Sequence, residues 1–487
     1  MVKLRSRRVL VPLALLLVIT CAAQTADDLQ ASTNRLASSI LMGPSMITLW
    51  ELSDGYGGRL SGSAAYQASA EWAVRKFTSY GLQNVHLEPF DIPHGWQRGT
   101  ARGELVAPMA RALHVASIAW CPSTPQGGIL GEVVLVDDLS PDHIQSQAAQ
   151  IKGRIVLLDT SRIFAQGLMR GLPVLFASYA HLKDAGALAI LYPDREKDNV
   201  LNAHDSMWGA KLNPLPDFEI GMEDAKLLRR LLDAKQTVSV KLEAENQTTG
   251  PTVVNNVVAE IRGSEHPEEW ILIGAHLDSW DFGTGAQDNG SGTAMVLEAA
   301  RAIAALGRPP RRSIRFALWG GEEQGLLGSF AYTQAHPSEL KKCVAALNTD
   351  NGAGHPKGWK VEGREDLLDA MKPISNKFLR DLSGDGLSLE VTYDTDHGPF
   401  LLKGIPALDL EVDMAHYMEI HHKSSDTFDK VDALNFKADA AVVAVTAYVL
   451  AENDKPIAPH LDHAAVGEIV KKAGLEDLLK EANVWKP

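Results

Sequence analysis

Five short segments of the chain carry residue types that hold metal ions and move protons. In Gly274-Ala-His276-Leu-Asp278 the histidine and the acid stand two residues apart. On a continuing strand both side chains point the same way, and the carboxylate can orient the imidazole. Asp288 stands in Gly285-Ala-Gln-Asp288-Asn-Gly-Ser-Gly292. There it can cap a following helix, or, with glycines that let the backbone come close to a ligand, bridge two cations. Trp319-Gly-Gly-Glu322-Glu323-Gln-Gly sets two acids side by side. Such a pair reads as a solvated helix N-terminus, or as a metal site where one carboxylate ligates and the other serves as general base for water. Asn348-Thr-Asp350-Asn-Gly taken alone is a turn. Ile420-His421-His422-Lys-Ser-Ser-Asp426-Thr supplies the only adjacent histidines.

The set is more telling than its members. Two histidines and three carboxylates, with one acid to spare, each follow a predicted strand. With one carboxylate shared, they give two zinc ions three protein ligands each and leave room for a water. No cysteine pair suits a thiolate site, so the donors are His, Asp and Glu, the mix of a catalytic rather than a structural metal.

The elements that must position these residues are legible from Asn255 onward, where apolar runs alternate with helical stretches. Strands are predicted over residues 270–275, 314–319, 343–348, 387–392 and 407–411, and helices over 291–306 and 436–450. This is the pattern of an α/β domain, a mostly parallel sheet between helices, whose ligand sites lie beyond the carboxyl ends of the strands. Residues 103–249 read as an inserted β-rich domain with strands at 131–136 and 153–159 and a helix-strand unit at 177–192. Residues 24–102, with a helix at 64–80, complete the catalytic domain of 250–455, and 456–487 form a tail.

Composition bounds the function. With 487 residues, 45% of them hydrophobic and 22% charged, the chain can bury at least one large core. Residues 1–23, basic and then apolar, read as an export signal cleaved after Ala23, with a lipid anchor at Cys21 as the weaker alternative. Their removal takes the formal charge from −14 to −18, which argues against nucleic acid as a partner. No later run of about 18 apolar residues predicts a membrane span. Cys121 and Cys343 neither require nor exclude a disulfide.

These segments resemble the co-catalytic di-zinc exopeptidases of metallopeptidase family 28, the aminopeptidase and transferrin-receptor-like family. The likeness runs from Gly57-Gly-Arg-Leu-Ser-Gly-Ser63, through Val85-His-Leu-Glu-Pro-Phe-Asp-Ile-Pro93 and Trp96, to Asp426-Thr and the closing helix. It implies the zinc-exopeptidase fold, with His276, Asp288 and Asp350 on one zinc and Asp288, Glu323 and His422 on the other. Glu322 matches the family's general base and Asp278 its histidine-orienting acid. The family's His-x-x-x-Asp-Thr pattern selects His422 over His421. Lys152-Gly-Arg-Ile-Val and Ala185-Gly-Ala-Leu-Ala-Ile resemble a protease-associated domain, which in relatives lies beside the active-site cleft. Tyr393-Asp-Thr-Asp396-His397 departs from relatives and is left outside the expected site.

The implied activity is that of an exported exopeptidase, periplasmic or extracellular, acting on short peptides or dipeptides. Relatives also suggest a homodimer. Two other functions occur on this fold, a binding protein without working zinc ligands and a one-zinc glutaminyl cyclase. The complete ligand set argues against both.

Overall fold

Why the chemistry-bearing loops meet is visible in one eight-stranded sheet. In the computed structural model, which describes residues 26–165, 168–205 and 207–486, its strands run in the order Gln83–Ile92, Thr252–Ile261, Arg312–Trp319, His266–His276, Cys343–Asn348, Ala407–Val412, Pro356–Lys360 and Gly386–Ser388. The expected export signal lies outside the described residues. The four strands at the centre pair in parallel, with antiparallel pairings towards both edges. The stretch Trp270–His276 is buried throughout, as a central strand covered on both faces must be.

One face carries helices Gly292–Ala304 and Ala433–Glu452 in a large apolar core. The second helix starts on Asp432, whose side chain accepts the N–H groups of Leu434 and Asn435, a cap worth about 1 kcal/mol. It is the one described helix long and apolar enough to cross a membrane, yet it is buried along most of its length, the position of a core helix. The other face is covered around Trp319, Tyr332 and Phe400 by helices Leu327–Ala335 and Gly398–Leu401.

Strand Gln83–Ile92 forms the edge of this sheet, so the segment before residue 101 belongs to it in space. Residues 101–244 build a second eight-stranded sheet with its own apolar cores. Its strands Ile129–Val136, Ile155–Leu158, Ala189–Pro193 and Asp217–Ile220 are parallel. Helix Leu168–Asp184 lies in one of these cores and helix Met222–Asp233 in the other.

Three expectations change. The strand predicted at 387–392 is only Gly386–Ser388, because the Thr392 N–H turns away to Glu362 Oε2 at 2.7 Å. The helix predicted at 291–306 starts at Gly292, after a wide turn over Ala286–Ser291 that leaves Asp288 extended. The amphipathic helix Met222–Asp233 had no counterpart in the sequence reading. Cys121 and Cys343 are both buried and unpaired, and Cys343 lies in the core around Trp319.

Candidate metal centre

At the carboxyl ends of the central strands, five loops converge. His276 is the last residue of its strand. Its Nε2 stands 3.0 Å from Asp350 Oδ1, 3.3 Å from Asp288 Oδ1 and 3.8 Å from Glu322 Oε2. On the far side, His422 Nε2 stands 3.2 Å from Asp288 Oδ2 and 3.1 Å from Glu323 Oε2. Asp288 therefore presents one oxygen to each histidine.

His421 also approaches Asp288 Oδ2, at 3.4 Å, and stacks on His422 with ring centroids 3.7 Å apart. His422 is at φ 63°, a conformation costly for a residue with a Cβ, and its ring meets Trp280 edge-on. Burial and the neighbouring His422 press the His421 pKa down to about 3, so this ring is neutral.

The orientation of His276 differs from expectation. Its Nδ1 lies 2.9 Å from the backbone carbonyl of Asp278, whereas the Asp278 carboxylate is 3.5 Å away. That carboxylate accepts the Ser61 hydroxyl at 3.0 Å and the Glu322 N–H at 3.3 Å. Asp278 thus fixes the tautomer through its main chain and ties the Glu322 turn to the histidine through its side chain.

The glycines around Asp288 also serve another purpose than the one expected. A Cβ on Gly285, which sits at φ 57°, would lie 2.3 Å from the Ser279 Cβ, and one on Gly292 would lie 2.3 Å from the Thr349 carbonyl. They admit the chain itself rather than a ligand. Helix capping does not occupy Asp288, because Asn289 Oδ1 accepts the Gly292 N–H at 2.9 Å.

Electrostatics set the cluster apart. Burial raises the proton affinity of Glu323 and Asp350, each pushed up to about 7, and holds Glu322 well above the carboxylate range, with Asp350 and Glu323 adding to it. Burial opposes charging His422, yet Glu323 and Asp288 lift it to about 10, and Asp350 and Glu322 likewise hold His276 well above its usual value. Asp288 is buried but held well below the usual range by hydrogen bonds from both histidines. Crowded, buried acids of this kind require cations.

Two residues hold the loops in register. Arg59 is fully buried and donates to the carbonyls of Leu277, Gly57, Thr284 and Gly285 at 2.7 to 3.0 Å. Asp426 accepts the N–H groups of Gln287 and Asp288 at 2.7 and 3.1 Å and so aims Asp288.

Residues 256–447 match the family model described as Peptidase family M28. Carboxypeptidase Q of Mus musculus is 30% identical over 413 residues, which is 83% of this chain and 85% of the relative. The chain belongs to peptidase family M28. It is by that membership a metallo-exopeptidase. A solved M28 peptidase precursor from Shewanella amazonensis SB2B shares 28% identity and a TM-score of 0.76, covering 90% of this chain and 100% of that one. A zinc aminopeptidase from Bacillus subtilis has the same fold, with a TM-score of 0.66 at 22% identity over 86% of this chain and 97% of that one.

In this M28 chain His276, Asp278, Asp288, Glu322, Glu323, Asp350 and His422 all lie in one cluster. Its surroundings include residues that sequence reasoning did not select. Arg59 stands in the resembling segment 57–63 but shows no chemical signal there, since its partners are all backbone carbonyls. Asp426 served only as a spacing mark. Asp396 is buried on Ser329 Oγ at 2.5 Å, and burial pushes it up to about 7. The segment that connects strands Ala189–Pro193 and Asp217–Ile220 also reaches the centre. The Ala203 N–H donates to the His422 carbonyl at 2.7 Å, and the Gly209 N–H to the Gln324 carbonyl at 2.8 Å.

Proposed function

We propose that this chain is an exported exopeptidase that hydrolyses short peptides with two zinc ions, His276, Asp288 and Asp350 holding one and Asp288, Glu323 and His422 the other. The observation that carries the reading is the divided Asp288 carboxylate between His276 and His422. The donor set fits zinc: imidazole and carboxylate ligands, three per ion with one shared. Glu323 Oε1 supports it too, as a buried carboxylate oxygen with no hydrogen-bond partner among the described residues.

Bound zinc would supply Lewis acidity, polarising the scissile carbonyl and making water a stronger acid. Glu322 is the proton carrier. Its turn is fixed by the Asp278 carboxylate, and burial raises its proton affinity, so it takes a proton from water and returns it to the leaving amine. His276 and His422 keep Asp288 aimed, and Arg59 ties segment 57–63 to the loop between His276 and Asp288. Residues 103–249 act as a protease-associated-like domain that walls the site, which the Ala203 and Gly209 contacts support. The basic-then-apolar start of the chain supports export.

A panel of dipeptides and aminoacyl anilides, assayed with and without chelator, tests the reading. Hydrolysis of at least one substrate, abolished by chelator and restored by zinc, is expected. A chain that neither binds zinc nor hydrolyses any substrate would favour a binding protein without working zinc ligands instead.

A further inference from the structure

The second sheet has an opening of its own at the carboxyl ends of its parallel strands, the position at which open α/β sheets take ligands. The cleft has a volume of about 540 Å³, within the usual range for small-molecule sites. Strand ends give it an apolar floor, and Phe164, Asp159, Asp194, Arg195, Lys226 and Arg229 stand around it.

The acids of the cleft already have partners. Asp159 pairs with Arg229 at 3.0 Å. Asp194 is buried and accepts the N–H groups of Glu196 and Asn202, both at 2.7 Å. The cations are in excess: neither Arg195 nor Lys226 has an acidic partner within 4.0 Å among the described residues. The Arg195 guanidinium lies over the Phe164 ring, 4.2 Å from its centroid. An uncommitted guanidinium backed by an aromatic ring, in an apolar cleft that a lysine also lines, matches an anion with an apolar body.

The loop that carries Arg195 leads to the metal centre. Asp194 closes this loop through Glu196 and Asn202; Glu196 pairs with Lys423 at 3.1 Å, and the Ala203 N–H holds the His422 carbonyl. Seven residues therefore separate Arg195 at the cleft from Ala203, which is bonded to the main chain of His422.

We propose that this cleft binds a small carboxylate with an apolar side chain, of amino-acid size, between Arg195 and Lys226, and that its occupancy alters catalysis through residues 194–203. The binding half stands without the catalytic reading, and the coupling half rests on it.

Calorimetry on the zinc-loaded full chain tests the binding, with 4-phenylbutyrate as probe and 4-phenylbutanol as its uncharged counterpart. The carboxylate binds at least tenfold more tightly than the alcohol, about 1.4 kcal/mol or more. Arg195→Ala and Lys226→Ala each weaken it about tenfold, and His422→Ala leaves it unchanged. No binding, equal binding of the alcohol, or binding that survives Arg195→Ala and Lys226→Ala together overturns the proposal. Loss of binding in His422→Ala also overturns it, by placing the probe on the metal centre. For the coupling, saturating 4-phenylbutyrate changes wild-type kcat/KM at least twofold, and the change vanishes in Arg195→Ala. Binding with kcat/KM unchanged overturns the coupling alone. A chain without peptidase activity would sink the proposed function while calorimetry still reads the cleft.

Discussion

Two mixed sheets in this chain each have parallel strands that end in a charged loop cluster, and the clusters are opposites. At the ends of the catalytic strands the charges are acidic and buried, with Asp288, Glu323 and Asp350 crowded round two histidines. At the ends of the inserted strands Arg195 and Lys226 are exposed on the rim of a cleft. The support differs as much as the charge. Arg59 and Asp426 clamp the acidic loops from behind through main-chain groups, while one acid, Asp194, closes the loop of the cationic cleft. The same architectural position thus supplies two kinds of chemistry. Burial with like-charge crowding makes a site that needs metal cations, and exposure with unpaired cations makes one suited to reversible anion binding.

The sharpest way to break this contrast is to remove the shared oxygen pair. Asp288→Asn is expected to lower kcat/KM by on the order of 1000-fold or more, with loss of zinc measured on the purified protein. A variant that kept both metals would remove the reason for placing Asp288 between them. A smaller effect separates the adjacent histidines. His422→Ala should cost one zinc ion and most activity, whereas His421→Ala, which removes a neutral stacked ring, should cost less than about tenfold. The reverse order, with His421→Ala losing the zinc, would mean that the spacing to Asp426 chose the wrong residue.

The same comparison explains what could be read from the sequence. Strands ending in glycine and acid were legible, because a central strand buried on both faces is a continuous apolar run and the residues after it stand out. His276, Asp288, Glu322, Glu323 and Asp350 were found that way, whereas His422 was chosen over His421 by the resembling family's spacing to Asp426. Arg59 was not, because a guanidinium that bonds only to carbonyls is specified by the fold and leaves no pattern of residue types. The role of Asp278 was half legible: spacing identified the residue, but the strand ends at His276, so the carbonyl rather than the carboxylate meets the ring. In the inserted region, helix Met222–Asp233 was hidden by charged residues such as Arg229 and Arg230, which lie on its outer side while Ala225 and Leu228 go to the core.

The smallest expected effect concerns the inserted domain. Asp217 is buried there, and burial pushes its pKa up to about 7. The native state then binds more protons than the unfolded chain between about pH 4 and 7, so this group's contribution to stability falls as pH rises through that window. Melting temperatures measured from pH 5 to pH 8 should decline, and Asp217→Asn should flatten the decline by a few degrees. An unchanged slope would show that Asp217 is not the group responsible.

The central claim, that Glu322 moves the proton while its neighbours hold the metal, is tested most directly by zinc content and turnover measured together on Glu322→Gln. The variant is predicted to bind zinc at the wild-type stoichiometry and to lose turnover by about 100- to 10,000-fold, the usual cost of removing a general base. Turnover within about tenfold of wild type with zinc still bound would contradict the assignment.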